Sequence, residues 1–113
     1  MKPYYILIFL LGIIVSCNNK QPQIVEPPCI SSQIVDFSEN EACDSEASVR
    51  EYKFQKDIVY VFDQGNCGAD FANAVVNYDC DTIGYLGGLI GNTEINGKEF
   101  FEKAEFVRTL FEN

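Results

Sequence analysis

The chain has 113 residues, 8 Lys+Arg against 17 Asp+Glu, a formal net charge of −9, and no His or Trp. The length fits one domain, and the acidity argues against a nucleic-acid partner, since the phosphates could not be neutralised in bulk. The lack of His removes the commonest general base and the commonest metal ligand, and the meaning of five Cys in so short a chain depends on compartment.

Lys2 supplies a small positive start, and Tyr4 to Val15 (YYILIFLLGIIV) is an almost unbroken apolar run. A helix rises about 1.5 Å per residue, so the run reaches only about 18 Å, well short of a bilayer core about 30 Å thick. That is the pattern of a secretory signal rather than of a spanning helix. Ile14-Val15-Ser16-Cys17 follows and resembles the lipobox of bacterial lipoproteins. In that family the Cys sulfur receives a diacylglyceryl group, the chain is cut just before the Cys, and the new amino group is acylated. The resemblance implies a signal peptide over residues 1–16 and lipidation at Cys17, with acyl chains of the palmitate type as the anchor. Each buried CH₂ contributes about 0.8 kcal/mol, and two or more chains hold stably. Removal of Lys2 leaves the remainder more acidic still, so anionic headgroups repel the body and the acyl chains must supply the attachment.

Residues 17–28 combine the lipidated Cys with a polar, proline-rich stretch, NNKQPQIVEPP, which reads as a flexible or polyproline-II tether. A small domain over 29–113 follows. Ile30, Ile34 and Phe37 share one helical face and predict a short helix over about 30–39, with Pro27 and Pro28 just outside its start. Val49 to Phe54 alternates, with Arg50, Tyr52 and Phe54 on one side and Val49, Glu51 and Lys53 on the other. Ile58 to Phe62 is β-branched and aromatic, so the two predict a hairpin. Ala74 to Tyr78 and Thr82 to Leu86 predict a third and a fourth strand. Asp63 to Asn73 and the Gly/Asn-rich stretch Gly87 to Gly97 read as loops. In the last segment Phe100, Phe101, Ala104, Val107 and Phe111 share a helical face, yet Phe106 to Phe111 also alternates. A closing strand is the reading preferred here. The fold class expected is α+β: a short N-terminal helix packed on a four- to five-stranded antiparallel meander, stapled by disulfides.

Cys29, Cys43, Cys67 and Cys80 form an even set in a chain that carries an export signal, which suggests disulfides. In a meander, Cys43 before the first strand and Cys67 after the second lie at one end of the sheet, and Cys80 after the third lies at the other. A ten-residue helix spans about 15 Å and a five-residue strand about 17 Å. A helix ending near Cys43 therefore starts near Cys80, and the expected pairs are Cys43–Cys67 and Cys29–Cys80. No CxxC occurs and no His completes a zinc set, so a redox or zinc role is not expected.

Gly91 to Glu99 (GNTEINGKE) lacks the spacing and the Ser/Thr of a phosphate loop. Asp63, Asn66, Asp70, Asp79 and Asp81 could supply oxygen ligands but do not match a calcium loop, and the carboxylates among them read as solvated turn residues. No cofactor, no metal and no catalytic residue are expected, because the domain has little room for a cleft and no His to activate its few hydroxyls. Strand aromatics facing away from a single core would mark a partner surface. The candidate contact residues are Tyr52, Tyr60 and Tyr85, with Asp70 in the loop.

Ser48 to Asn96 resembles a group of short Bacteroidota lipoproteins of uncharacterised function. The residues that carry the likeness are Val49-x-Glu51-Tyr52-x-Phe54, Val59-Tyr60-Val61-Phe62-Asp63, Cys67-Gly68-Ala69-Asp70, Cys80, Gly84-Tyr85-Leu86-Gly87-Gly88 and Gly91-Asn92, together with Cys29-Ile30. The resemblance implies a lipobox, a small α+β fold and a place in the bacterial envelope, and it implies no activity. Many surface-exported lipoproteins of that phylum carry acidic residues soon after the lipidated Cys. Asn18-Asn19-Lys20 departs from this, which favours the outer membrane facing the periplasm over the cell surface. The expected function is a non-catalytic envelope lipoprotein that binds another envelope component. The alternative is a small periplasmic inhibitor or ligand-binding module acting through loops 63–73 and 87–97. Labelling cells with an alkyne fatty acid tests the anchor. The native chain should carry the label, and Cys17→Ser should lose it and keep residues 1–16; label retained on Cys17→Ser would contradict the assignment.

Overall fold

A computed structural model describes residues 25–68 and 71–113. The lipobox and Cys17 therefore lie outside the described residues, as does Asp70. The elements in chain order are α1 (Pro28–Asn40), β1 (Ser48–Phe54), β2 (Asp57–Asp63), β3 (Ala72–Asn77), β4 (Thr82–Gly87), β5 (Glu94–Ile95), β6 (Lys98–Glu99), α2 (Phe100–Lys103) and β7 (Glu105–Glu112). The fold is α+β. The main sheet has five antiparallel strands in the order β4-β3-β2-β1-β7. The first four strands form a meander, and the closing strand returns to the β1 edge.

Helix α1 begins earlier than its apolar face alone indicates. Pro28 sits in the first turn, where its missing N–H leaves no bond unmade and its fixed φ already suits a helix. Ile30 and Phe37 are buried and pack with Val49, Tyr60, Phe62 and Val76 on the sheet. Phe37 meets Phe62 edge-on, with centroids 5.3 Å apart. The opposite sheet face carries a second core of Phe54, Val59, Val61, Val75 and Leu86, closed by Ile95 and Phe100 from the 93–104 segment. The middle of the sheet is thus covered on both sides. This explains why the central strand β2 reads as an apolar run rather than as strict alternation.

One element differs from the sequence reading, and the closing strand, expected from the sequence, is irregular. Gly87 to Gly97 is not a continuous loop. Glu94–Ile95 pairs with Lys98–Glu99 across an Asn96-Gly97 turn in which both residues have positive φ, 54° and 77°. Asn-Gly is suited to that turn because both residues tolerate the left-handed region. The last segment is a strand after one helical turn, and it does not alternate evenly. Val49 faces Phe111 and Arg50 faces Thr109, then Glu51 faces Arg108 and Tyr52 faces Phe106. Leu110 and Val107 are therefore bulged out of the ladder, and each bulge resets the side-chain alternation.

Both disulfides, Cys29–Cys80 and Cys43–Cys67, are formed, with Cα separations of 6.2 and 5.5 Å. The first ties the start of α1 to the β3–β4 turn, and the second ties the loop before β1 to the loop after β2. At Gly65, φ is +95°, and a Cβ would lie 2.7 Å from Ala47 N. The loop after β2 thus runs against the backbone ahead of β1, and Cys43 N donates to Gln64 O at 2.8 Å.

Tyr60 is fully buried, and its hydroxyl has no hydrogen-bond partner among the described residues. Burial, reinforced by the nearby Glu51 charge, pushes its pKa well above the ordinary tyrosine value of 10.0. A raised pKa means that the folded state holds the proton more tightly than the unfolded state. The stability this gives is complete below the ordinary value and is lost as pH rises through the shifted one. Tyr60→Phe should leave the urea midpoint at neutral pH unchanged or higher, since a buried hydroxyl without a partner only costs free energy. Above about pH 10 the variant should outlast the parent, and a midpoint lowered at neutral pH would contradict this account of Tyr60.

Candidate functional site

The two ends of the sheet are built differently. At one end the chain enters the domain. The Tyr78 hydroxyl, just past β3, donates to Val25 O at 3.4 Å, and Arg108 Nη2 bonds Glu26 Oε1 at 3.0 Å. Residues 25–28, which composition assigns to the tether, are thus already in contact with the folded body. Glu51 is 0% exposed and takes a bond of 2.8 Å from Arg108 Nε to its Oε1. Burial works against the Arg108 charge, but the hydrogen bonds and charges of Glu51 and Glu26 outweigh it and hold the guanidinium pKa above its usual value. One side chain of β7 therefore joins the entering segment to the middle of β1.

The other end carries the turn Gly88-Leu89-Ile90-Gly91. A six-residue strand such as β4 spans about 20 Å, which separates the turn from the entry point by about that distance. The turn closes through a bond from Gly91 N to Gly88 O, 3.1 Å, above two reciprocal hydrogen bonds, Gly87 N to Asn92 O at 2.8 Å and Asn92 N to Gly87 O at 3.0 Å. Asn92 Nδ2 also donates to Tyr85 O at 2.7 Å and Glu94 O at 2.8 Å. Positive φ at Gly87, Gly88 and Gly91 places the chain where side chains are strained. The tip is held from below, yet Leu89 and Ile90 are 83% and 90% exposed. Gly88 N bonds Phe71 O at 3.2 Å, which joins this turn to the 63–73 loop.

Beside the turn a groove of about 690 Å³ runs between α1 and strands β3 and β4. Phe37, Phe62, Ala74 and Val76 form its apolar side, Tyr85 borders it, and Asp36 and Glu41 make its rim acidic. It exists because α1 lies over the middle of the sheet and leaves the β4 edge uncovered.

Of the sequence-predicted contact residues, Tyr85 is exposed and lies on this groove. Tyr52 is half-buried among Phe100, Phe101 and Phe106, with centroids 5.2, 6.1 and 5.8 Å away. Tyr60 is inside the core and presents nothing to a partner. Asp70 lies outside the described residues. The structure does not bring Tyr52, Tyr60 and Tyr85 together. It joins Phe71 to the turn after β4 through one backbone bond, and exposes there Leu89 and Ile90, which have no periodic pattern to announce them. Their only sequence signal is a pair of large aliphatics set between glycines. Among the described residues, no group of three or more Cys, Asp or Glu is placed to hold a metal ion.

The family described as Domain of unknown function (DUF6970) matches residues 35–113. That span is most of the chain, and the chain belongs to this family. No curated protein and no solved structure matches it.

Proposed function

We propose that this DUF6970 member is a lipid-anchored, non-catalytic binding module of the bacterial envelope that docks a protein partner through the end of the sheet bearing the turn at residues 88–91. The reading of the anchor and its compartment rests on the lipobox-like Ile14–Cys17 stretch. The outer membrane facing the periplasm is the preferred site, and the cell surface is the alternative. The contact surface rests on one observation: two consecutive large aliphatic side chains held almost fully exposed on a rigid glycine-bounded turn. Scattered exposed Leu residues are ordinary. A pair fixed at a tip is different, because its burial in a partner releases apolar surface from water at little ordering cost. The turn also sits at the end of the sheet away from the incoming tether. A domain anchored through Cys17 would present it outward, away from its own membrane.

This reading favours loops over a flat aromatic sheet face, because α1 and the 93–104 segment cover most of the sheet. The test uses the full-length chain in its native envelope, with a photoreactive side chain at Ile90 or, as control, at Lys56 on the opposite end. A discrete protein adduct should form from position 90 and not from 56. Leu89→Asp should lower its yield about tenfold, as loss of one desolvated apolar contact implies. Equal adducts from both positions, or a yield indifferent to Leu89→Asp, would refute the assignment.

A further inference from the structure

The second sheet face is only partly roofed. Ile95 and Phe100 cover Phe54, Val59, Val75 and Leu86, but the half nearer Ser48 and Asp63 stays open as a cleft of about 160 Å³. Val61 is its apolar floor, and Phe101, 64% exposed, stands at its margin. Arg50, Asp63 and Asn73 project into a face that is otherwise apolar. The register accounts for their proximity: Arg50 pairs with Val61 and Ser48 with Asp63, so Arg50 and Asp63 are diagonal neighbours on one face. Tyr52 joins them. Burial raises its hydroxyl pKa, while Arg50 lowers it and Asp63 raises it, so all three lie within electrostatic reach of one another.

Among the described residues, the polar groups of this cleft make few hydrogen bonds. Arg50 Nη1 donates to Ser48 Oγ at 3.0 Å, and its Nη2 lies 3.9 Å from Glu112 in a loose, exposed pair. A guanidinium has five N–H donors, and these contacts occupy only a minority of them. Asp63 uses Oδ1 for Gly65 N at 2.9 Å and keeps its second oxygen. The Asn73 amide makes no hydrogen bond among the described residues. The cleft thus offers donors from Arg50, Asn73 and Tyr52 and acceptors from Asp63 and Asn73, beside an aromatic ring.

We propose that this cleft binds a single neutral sugar ring, such as the terminal residue of an envelope glycan. Its charge pattern selects against ions. Asp63 and Glu112 flank Arg50 and offset its charge, and the chain carries a net charge of −9, so an anion gains little there. A cation meets the guanidinium. A neutral ring bearing neighbouring hydroxyls donates to Asp63, accepts from Arg50 and Asn73, and lays its C–H face on Phe101. The cleft is small and open on one side, so a single ring can rest in it with one face against the protein and the other in water. This site is on the sheet face, separate from the turn at residues 88–91, and stands or falls independently of it.

The test is an amide-shift NMR titration of the full-length chain in detergent with the methyl glycosides of glucose, galactose, mannose and N-acetylglucosamine. At least one should give saturable shifts centred on Arg50, Val61, Asp63 and Asn73. Asn73→Ala and Phe101→Ala, which remove a free amide and an exposed ring, should each weaken that Kd by about fivefold or more, with unchanged dispersion elsewhere showing that they fold. No saturable shift with any glycoside, shifts centred elsewhere, or a Kd unmoved in both variants would overturn the proposal. So would sodium acetate reproducing the same shifts, since that would mark an anion site instead.

Discussion

The burial of one carboxylate conditions the whole arrangement. Glu51 sits in β1 on the α1 face, fully shielded from water, beside the neutral ring of Tyr60. An isolated ionised carboxylate in such a place is very costly, and only a close and well-oriented cation makes it tolerable. Arg108 supplies that cation from β7, 57 positions along the chain. The two bulges of β7 follow from the same demand. With Val107 and Leu110 set out of the ladder, Arg108 falls opposite Glu51, while Phe111 packs against the α1-side core and Phe106 meets Tyr52 on the other face. Arg108 then extends to Glu26 and so fixes where the chain enters the domain.

With that centre in place, the peripheral devices are easier to understand. Cys29–Cys80 holds α1 to the end of the sheet at which Arg108 gathers the entering chain. Cys43–Cys67 holds the other end, helped by Asn113, which bonds Cys43 O at 2.7 Å and Ala47 N at 3.0 Å. Cross-links of this kind act mainly by restricting the unfolded chain, at typically about 2–4 kcal/mol each. In a domain this small they are a large fraction of the net stability. Both ends are thereby fixed, and the turn tip, the acidic groove and the small polar cleft are among the surfaces they leave open. Binding surfaces on a rigid frame lose little entropy on docking, which connects the architecture to the proposed role.

Most of the fold was legible in the residues. Ile30, Ile34 and Phe37 marked the helix, and the alternation of Val49 to Phe54 against the β-branched run after Asp57 marked the hairpin. Strand parity placed Cys43, Cys67 and Cys80 at their ends of the sheet, and the length of the helix against that of a strand placed Cys29. The closing strand was ambiguous for a physical reason: its bulges break the period of two, so Phe100 to Phe111 mimics a helix face. The Asn96-Gly97 turn carried a hairpin signal, but its strands are two residues each, too short to show a pattern. The candidate site was much less legible. Alternation says which face Tyr60 and Glu51 share and not what covers that face. The Leu89–Ile90 tip and the Arg50 cleft arise from where the cover stops, which depends on contacts distant in sequence.

Arg108 thus makes the burial of Glu51 tolerable and thereby places β7. Urea unfolding of Arg108→Met, set beside the double variant Glu51→Leu with Arg108→Met, tests it most directly. The single change strands a buried charge and should cost about 3–5 kcal/mol, whereas the double change removes both charges and should recover most of that loss. A single variant within about 1 kcal/mol of the parent, or a double variant as unstable as the single, would contradict it.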